Sequence, residues 1–194
     1  MPKKILILAV LLVCYYFIAF PFSSYSRVAQ IRDLFINRDT ENILVYAMVT
    51  DCFTGKMEEA IMAGAPTMFT FLIDLYEERP YWCDRKLSAI VIKHTIKYDT
   101  AKKTFFVSAN GGHEPAGFQD LESAKRAMAE LNGVAVAPVG ILQRDKTYYI
   151  RIKAKLDKIR LPMHMEYVFF FVSLWDFETD WIEKTLLFNY GQGS

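Results

Sequence analysis

The sequence predicts a mainly β protein, an antiparallel β-sandwich of about seven or eight strands with two short helices. The first observation is alternation: in TYYIRIKAKLD, at 147–157, every second side chain is apolar or aromatic and faces one side. The second is spacing, because turn residues separate these stretches at hairpin-like intervals. The third is order, since strands and helices do not alternate as a parallel sheet requires.

Seven further stretches have strand character, although Pro138 limits one of them to the edge of a sheet. They are 43–51, 67–77, 86–98, 104–108, 134–142, 185–189 and the aromatic run YVFFFVSLWDFETDW at 167–181. Two helices are predicted between them. Thr54 caps the first, and Asp120 caps the second, which is amphipathic and ends at Asn132-Gly133.

The N-terminal segment 1–26 predicts export from the cytoplasm. Lys3 and Lys4 precede sixteen consecutive apolar residues, 5–20, which form either a cleaved signal peptide or an uncleaved signal-anchor helix. Either reading places the remainder outside the cytoplasm, anchored to the membrane or released from it. We expect a linker at 27–42, one folded domain at 43–190 and a tail at 191–194.

Charge and cysteine content limit the classes of partner. The formal net charge is +1, and without Lys3 and Lys4 the chain has 21 basic and 22 acidic residues, so no nucleic-acid partner is predicted.

Cys52 and Cys83 are the cysteines beyond the N-terminal segment. They form either a disulfide, which an oxidising compartment permits, or two unpaired buried thiols. The spacing predicts no metal site, and no cofactor is predicted.

A basic stripe is the first candidate interaction surface. Arg151, Lys153 and Lys155 share one face of the strand at 147–157. Such a stripe is ordinary on a solvated strand face. Its functional reading is attraction to anionic lipid, worth about 1 kcal/mol per charge near a membrane surface.

The aromatic run is the second candidate surface. Phe169, Phe170 and Phe171 fit either a strand covered on both faces or an aromatic belt at a membrane interface. Strand geometry would place Trp175 and Trp181 on one face together with Phe177, opposite the acids Asp176, Glu178 and Asp180. A solvated acidic face explains these carboxylates better than a calcium site.

No motif predicts catalysis. The three histidines at 94, 113 and 164 are far apart in sequence, and His94 fits a hydrogen-bonded core or rim histidine better than a ligand. The glycine loop at 109–118 lacks the context of a phosphate-binding loop, and no nucleophile elbow is present. We therefore predict that the protein is not an enzyme; an enzyme with a dispersed site is the third-ranked alternative.

Several of these stretches together resemble a bacterial envelope family known as domain of unknown function 4390. They are EEAIMAGAPTMFTFLIDLYEERPYW, HTIKYD with FFV after the turn, DLESAKRAMAELNG, YYIRIKAKLDKIRLP and LWDFETDW. The resemblance covers 51–190 and implies an N-terminal signal or anchor and a place in the cell envelope. It implies no catalytic or binding residue. Cys83 stands where a second tryptophan is common in the family, which argues against a required disulfide.

Two functions follow as expectations. The first is a non-enzymatic interaction module in the periplasm or on the outer side of the bacterial inner membrane, with a protein partner. The resemblance implies a membrane sensor as that partner, because some family members are encoded beside sensor-kinase genes. The second is binding or sensing of a lipid or another apolar ligand at the membrane surface, which the aromatic content and the basic stripe favour.

Overall fold

The structure, a computed structural model, describes residues 29–109, 114–157 and 177–187. These residues form nine strands, two α-helices and one short 3-10 helix. The strands are β1 (Gln30–Arg38), β2 (Asn42–Thr50), β3 (Thr67–Glu77), β4 (Arg85–Asp99), β5 (Thr104–Ala109), β6 (Ala116–Phe118), β7 (Glu130–Pro138), β8 (Tyr148–Leu156) and β9 (Ile182–Thr185). The helices are α1 (Gly55–Met62), α2 (Leu121–Ala129) and the 3-10 turn Val139–Ile141.

The strands form two antiparallel sheets. One has three strands in the order β1-β2-β7, and the other has six in the order β6-β5-β4-β3-β8-β9. The prediction of a mainly β fold with antiparallel pairing and two helices is therefore confirmed. The described part of the chain has more strands than the seven or eight predicted, because β1 and β6 were not anticipated.

Both sheets and both helices contribute to one hydrophobic core. Alternate residues of β3, from Phe69 to Leu75, are fully buried, as are those of β8 from Ile150 to Ala154. The three-stranded sheet adds Ile43 and Val45 to the same cluster. Burial of each Phe, Ile, Leu or Val side chain in this set contributes about 1.5–3 kcal/mol. The alternation in the sequence thus identifies which face of β3 and of β8 is inside.

The predicted helix caps are both present. The Thr54 hydroxyl accepts a hydrogen bond from the Met57 backbone N–H at 3.3 Å, and the Asp120 carboxylate accepts one from the Ser123 N–H at 2.7 Å. The predicted end of α2 is wrong, because the helix ends at Ala129 and Gly133 lies inside β7. Gly133 adopts a φ of 66°, where β7 shifts register against β2.

The segment 27–42, predicted as a linker, contains β1. This strand pairs with β2, and its register shifts between Arg32 and Phe35 around Asp33, whose φ is 54°. Such an extra residue reverses the alternation, so Ile31 and Leu34 are both buried although they are three residues apart. This irregular apolar spacing resembles that of a linker, which explains the error.

The C-terminal strand lies earlier than predicted. β9 comprises Ile182–Thr185, not 185–189. Residues 1–26 and 191–194 lie outside the described residues, as does most of the aromatic run. Within the described ranges, no helix is long and apolar enough to cross a membrane.

Candidate interaction surface

The six-stranded sheet has an inner side that packs on the core and an opposite side that we call the outer face. On β3 the outer face bears Asp74 and Tyr76, and on β8 it bears Tyr149, Arg151 and Lys153. Both helices lie on the inner side, where their buried residues belong to the core. The outer face is therefore the side on which the basic stripe is displayed.

Arg151 is held between two aromatic rings. Its guanidinium carbon lies 4.6 Å from the centroid of the Tyr76 ring and 4.5 Å from that of Trp181. The same guanidinium donates two hydrogen bonds of 3.1 Å to the Asp74 carboxylate, which lies directly opposite on β3, and one of 2.7 Å to the Tyr76 hydroxyl. These cation–π contacts and charge-assisted hydrogen bonds fix the position of Arg151.

Lys153 and Lys155 continue the stripe beyond Arg151. The Lys153 ammonium donates to the Glu178 carboxylate and lies 5.8 Å from the centroid of the Trp181 ring. This hydrogen bond holds the pKa of Glu178 below its usual value. Lys155 and Glu178 also form an isolated antiparallel bridge. The structure thus brings Trp181 together with two of the three predicted stripe residues, an association that their distance in sequence does not reveal.

The predicted arrangement of the aromatic run is wrong where it is described. Phe177 packs on the core side, with its ring 5.0 Å from that of Phe69, whereas Trp181 lies on the outer face. Glu178 is opposite Lys155 and Ile182 is opposite Ile152, so this segment has one residue more than β8 over the same span. The extra residue reverses the alternation and sends Phe177 and Trp181 to opposite sides.

Several predicted residues of the aromatic run lie outside the described residues. These are Phe169, Phe170, Phe171, Trp175 and Asp176. The remaining two acids of the run, Glu178 and Asp180, are both exposed, as a solvated acidic face predicts.

A second charged group lies at the end of β3, and sequence reasoning missed it. The side chain of Glu77 is only 4% exposed and makes ion pairs with Arg79 at 3.5 Å, Arg85 at 2.6 Å and Lys146 at 2.8 Å. The hydrogen bond from Lys146, and then that from Arg85, lowers the pKa of Glu77 despite its burial. Only the mixed charges of ERPYWCDRK signal this group in sequence, and they carry no periodicity.

Lys86, on β4, extends the Arg151 group to a third strand of the outer face. Its ammonium lies 3.0 Å from the Asp74 carboxylate and 5.5 Å from the centroid of the Tyr76 ring. The hydrogen bond to Asp74, followed by that to Tyr76, raises the pKa of Lys86. Tyr76 stacks in turn on Tyr149, with ring centroids 5.3 Å apart and planes 7° from parallel. On the outer face, a network of contacts therefore joins β4, β3 and β8 through Lys86, Asp74, Tyr76, Tyr149 and Arg151.

The candidate disulfide is absent. Cys52 is buried and its thiol contacts the Val49 carbonyl at 3.6 Å, while Cys83 is exposed, so the alternative of two buried thiols is right for Cys52 alone. Burial raises the pKa of the Cys52 thiol to about 12. Phe53 contacts Phe69 near the start of β3, and Cys83 follows the far end of that strand. Eight strand residues span about 27 Å, far beyond the reach of a disulfide.

His94 is a core histidine, as its position in the alternation predicts. It is buried, its Nδ1–H donates to the Met128 carbonyl at 3.0 Å, and its ring packs edge-on against Phe71. Burial lowers its pKa, and the hydrogen bond to Met128 only partly opposes that effect. His113 and His164 lie outside the described residues. The described ranges contain no cluster of three or more residues able to hold a metal ion.

A cleft of about 670 Å³ lies between the end of β2 and the two helices. Its central side chain is Lys125, whose ammonium bonds both Glu58 and Glu122 at 2.6 Å and lies 5.7 Å from the centroid of the Phe53 ring. Burial acts to lower the pKa of Lys125, but the two carboxylates outweigh it and the pKa is raised. Lys125 is thus already neutralised by the chain itself, whereas Arg126, which also lines the cleft, is exposed to solvent.

Comparison with known families adds an independent observation. The model of the family described as domain of unknown function (DUF4390) matches residues 26–185. The chain belongs to this family. No curated protein and no solved structure matches the chain.

The DUF4390 match includes every strand from β1 to β9. The match begins ahead of β1, in agreement with the pairing of β1 with β2. The predicted start of the domain at residue 43 is therefore too late. Both the Arg151 stack and the Glu77 group therefore lie within the DUF4390 domain.

Proposed function

We propose that this DUF4390 protein is a non-enzymatic interaction module of the cell envelope, a β-sandwich held at the inner membrane or exported across it by residues 1–26. Its outer face binds a protein partner. The observation that carries the proposal is the stack of Tyr76, Arg151 and Trp181 on that face.

The chemistry of the outer face suits protein recognition. Tyr, Trp and Arg are the residue types most enriched at binding hot spots. Holding them in place before binding reduces the ordering cost that association carries. Here Arg151 is fixed by Asp74 and two rings, and Tyr76 is fixed by its stacking on Tyr149. A partner therefore meets a preformed surface.

The titration of the charged groups supports binding over acid–base catalysis. A general acid or base works best with a pKa near the operating pH. Hydrogen bonds move the pKa values of Glu77 and Glu178 down and that of Lys86 up, in each case away from neutrality. These groups keep fixed charges at pH 7, which suits charge recognition.

A membrane sensor is the partner class that we propose, in line with the family resemblance. The test is photocrosslinking in cells. A benzophenone amino acid replaces Val91, which lies on the outer face opposite Leu72 and is 53% exposed. The matched control replaces Phe35, on the three-stranded sheet, which is 54% exposed. A reproducible protein adduct from position 91 but not from position 35 supports the proposal, whereas equal yields or no adduct contradict it.

Binding of anionic lipid is the second candidate function, and the basic stripe favours it. A charge near an anionic surface contributes about 1 kcal/mol, and less where it is already paired, as Arg151 and Lys153 are. The contribution of Lys155 and its neighbours falls with added salt. Native mass spectrometry of the purified chain tests for bound lipid, and sedimentation with phosphatidylethanolamine–phosphatidylglycerol vesicles tests for surface binding. Vesicles without phosphatidylglycerol are the control. The candidate is excluded if the purified protein carries no lipid and stays in solution with both kinds of vesicle.

A further inference from the structure

The turn between β3 and β4 carries two adjacent aromatic side chains in solvent. Tyr81 is 92% exposed and Trp82 is 82% exposed. Isolated apolar side chains are common on protein surfaces, but two large neighbouring aromatics with almost no internal contact are not. Neither residue contributes to the core or to the outer face, so stability of the domain does not explain them.

The base of this turn is fixed by hydrogen bonds. The Asp84 carboxylate accepts from the Arg79 backbone N–H at 3.0 Å and from the Tyr149 hydroxyl at 2.8 Å. The Trp82 N–H donates to the Arg79 carbonyl at 3.3 Å, and the Glu78 N–H donates to the Thr147 carbonyl at 3.0 Å. The aromatic pair therefore extends from a closed turn that is anchored to β8.

Partly exposed cations surround the turn, in front of buried carboxylates. The cations are Arg79, Arg85, Lys86 and Lys146, and they bond the side chains of Glu77 and Asp74, which are 4% and 9% exposed. Glu78, Asp84 and Asp145 are the other acids at this end, and Arg144 is a further base. The whole group is close to neutral, with five bases and five acids, but two of the acids, Glu77 and Asp74, are buried. The exposed and partly exposed layer that a partner contacts therefore has five bases against three acids and is net basic.

The turn lies at the opposite end of the domain from the start of β1. Gln30, at the start of β1, pairs with Thr50, and Phe53 just beyond contacts Phe69 near the start of β3. The turn follows Glu77, about 27 Å further along that strand. The aromatic pair is therefore at the end of the domain that is remote from the start of β1.

We propose that Tyr81 and Trp82 form a docking tip for a protein partner whose binding site is an apolar recess bordered by carboxylates. The inference deepens the proposed function and rests on it. A protein fits better than a bilayer, because a group that is nearly neutral as a whole gains little from anionic lipid. The turn is also distant from the start of β1, the end of the domain that follows residues 1–26, the tether of the proposed function. Tyr and Trp at the centre of an interface, with charged residues at its rim, match the usual distribution of binding energy.

The test places the benzophenone amino acid at position 81 of the full-length protein in cells, again with position 35 as the control. A protein-sized adduct is expected at position 81. Trp82→Ser should lower its yield at least about tenfold, and Trp82→Phe should restore most of it, because loss of a hot-spot aromatic has effects of this size. In isolated membranes the yield should also fall between 0.05 and 0.5 M NaCl, as rim charges require. Unchanged circular dichroism of both variants establishes that the fold is retained.

Other outcomes overturn the inference. A lipid-sized mass increase would assign the tip to the bilayer, and an adduct of twice the chain mass would assign it to self-association. An adduct yield that is the same in the Trp82 variants as in the wild type contradicts the apolar recess. A yield that does not change with salt concentration contradicts its carboxylate border. If position 91 still gives a protein adduct while position 81 gives none, the tip fails and the proposed function stands. If neither position gives an adduct, both fail.

Discussion

A double-mutant cycle on Arg151 and Trp181 measures whether the outer face is held together as the contacts indicate. Trp181→Leu removes the ring that lies 4.5 Å from the guanidinium carbon, and Arg151→Met removes the charge but keeps most of the stem. Arg151 also bonds Asp74, which retains its ion pair with Lys86 in either variant. The cycle therefore isolates the contact between the two side chains.

The expected coupling is about 1 kcal/mol, the middle of the range for a partly desolvated cation–π pair. Arg151→Met alone should lower the free energy of unfolding by about 2–3 kcal/mol, because it also removes hydrogen bonds to a carboxylate. Urea denaturation of the wild type, both single variants and the double variant supplies the four values, with the purified chain in one mild detergent. Equal m values are the control for a common unfolding transition.

The reasoning is refuted if the two substitutions add within about 0.3 kcal/mol, as distant sites do. In that case Trp181 and Arg151 are neighbours without mutual stabilisation, and the outer face is not a preformed surface.

Three further predictions concern stability and reactivity. Lowering the pH from 7 to 5 should destabilise the protein, because the pKa of His94 is lower in the fold than in the unfolded chain, and His94→Asn should reduce this loss. With the N-terminal cysteine replaced by serine, a thiol reagent should label exposed Cys83 and not buried Cys52 before unfolding. Gly133→Ala should destabilise by about 1 kcal/mol or more, since φ is 66°, whereas Gly140→Ala should be nearly neutral.

Each of these has a result that would contradict it. Asparagine at position 94 keeps a donor in the place of Nδ1 but does not titrate, so an unchanged pH dependence of urea midpoints would remove His94 as the cause. Intact-mass spectrometry showing two labels, or none, on the native protein would contradict the positions of the thiols. Equal melting temperatures for the two glycine variants would exclude strain at position 133.

Alternation predicted those parts of the fold in which one strand face is buried without interruption. β3 and β8 were anticipated within one residue of their ends, and Thr54 and Asp120 cap the helices as their side-chain chemistry predicts. The errors occur where an extra residue reverses the alternation. The irregularity at Asp33 concealed β1, and the one between Glu178 and Ile182 separated Phe177 from Trp181.

The candidate site was predictable only in part, for a related reason. Arg151 and Lys153 could be placed on one strand face from their spacing alone. Their partners Asp74, Tyr76 and Trp181 come from other strands, and cross-strand register is not encoded in local spacing. The exposure of the β3–β4 turn could not be predicted either, because aromatic residues are usually assigned to the core.

Photocrosslinking from position 91 tests the central claim most directly, because it asks whether the outer face contacts another protein in the living cell. The account predicts one reproducible protein adduct at Val91. Its yield should be at least about tenfold lower at the equally exposed Phe35, and Trp181→Leu should reduce the yield at Val91. Adducts of equal yield at both positions, or adducts with lipid alone at position 91, would contradict it.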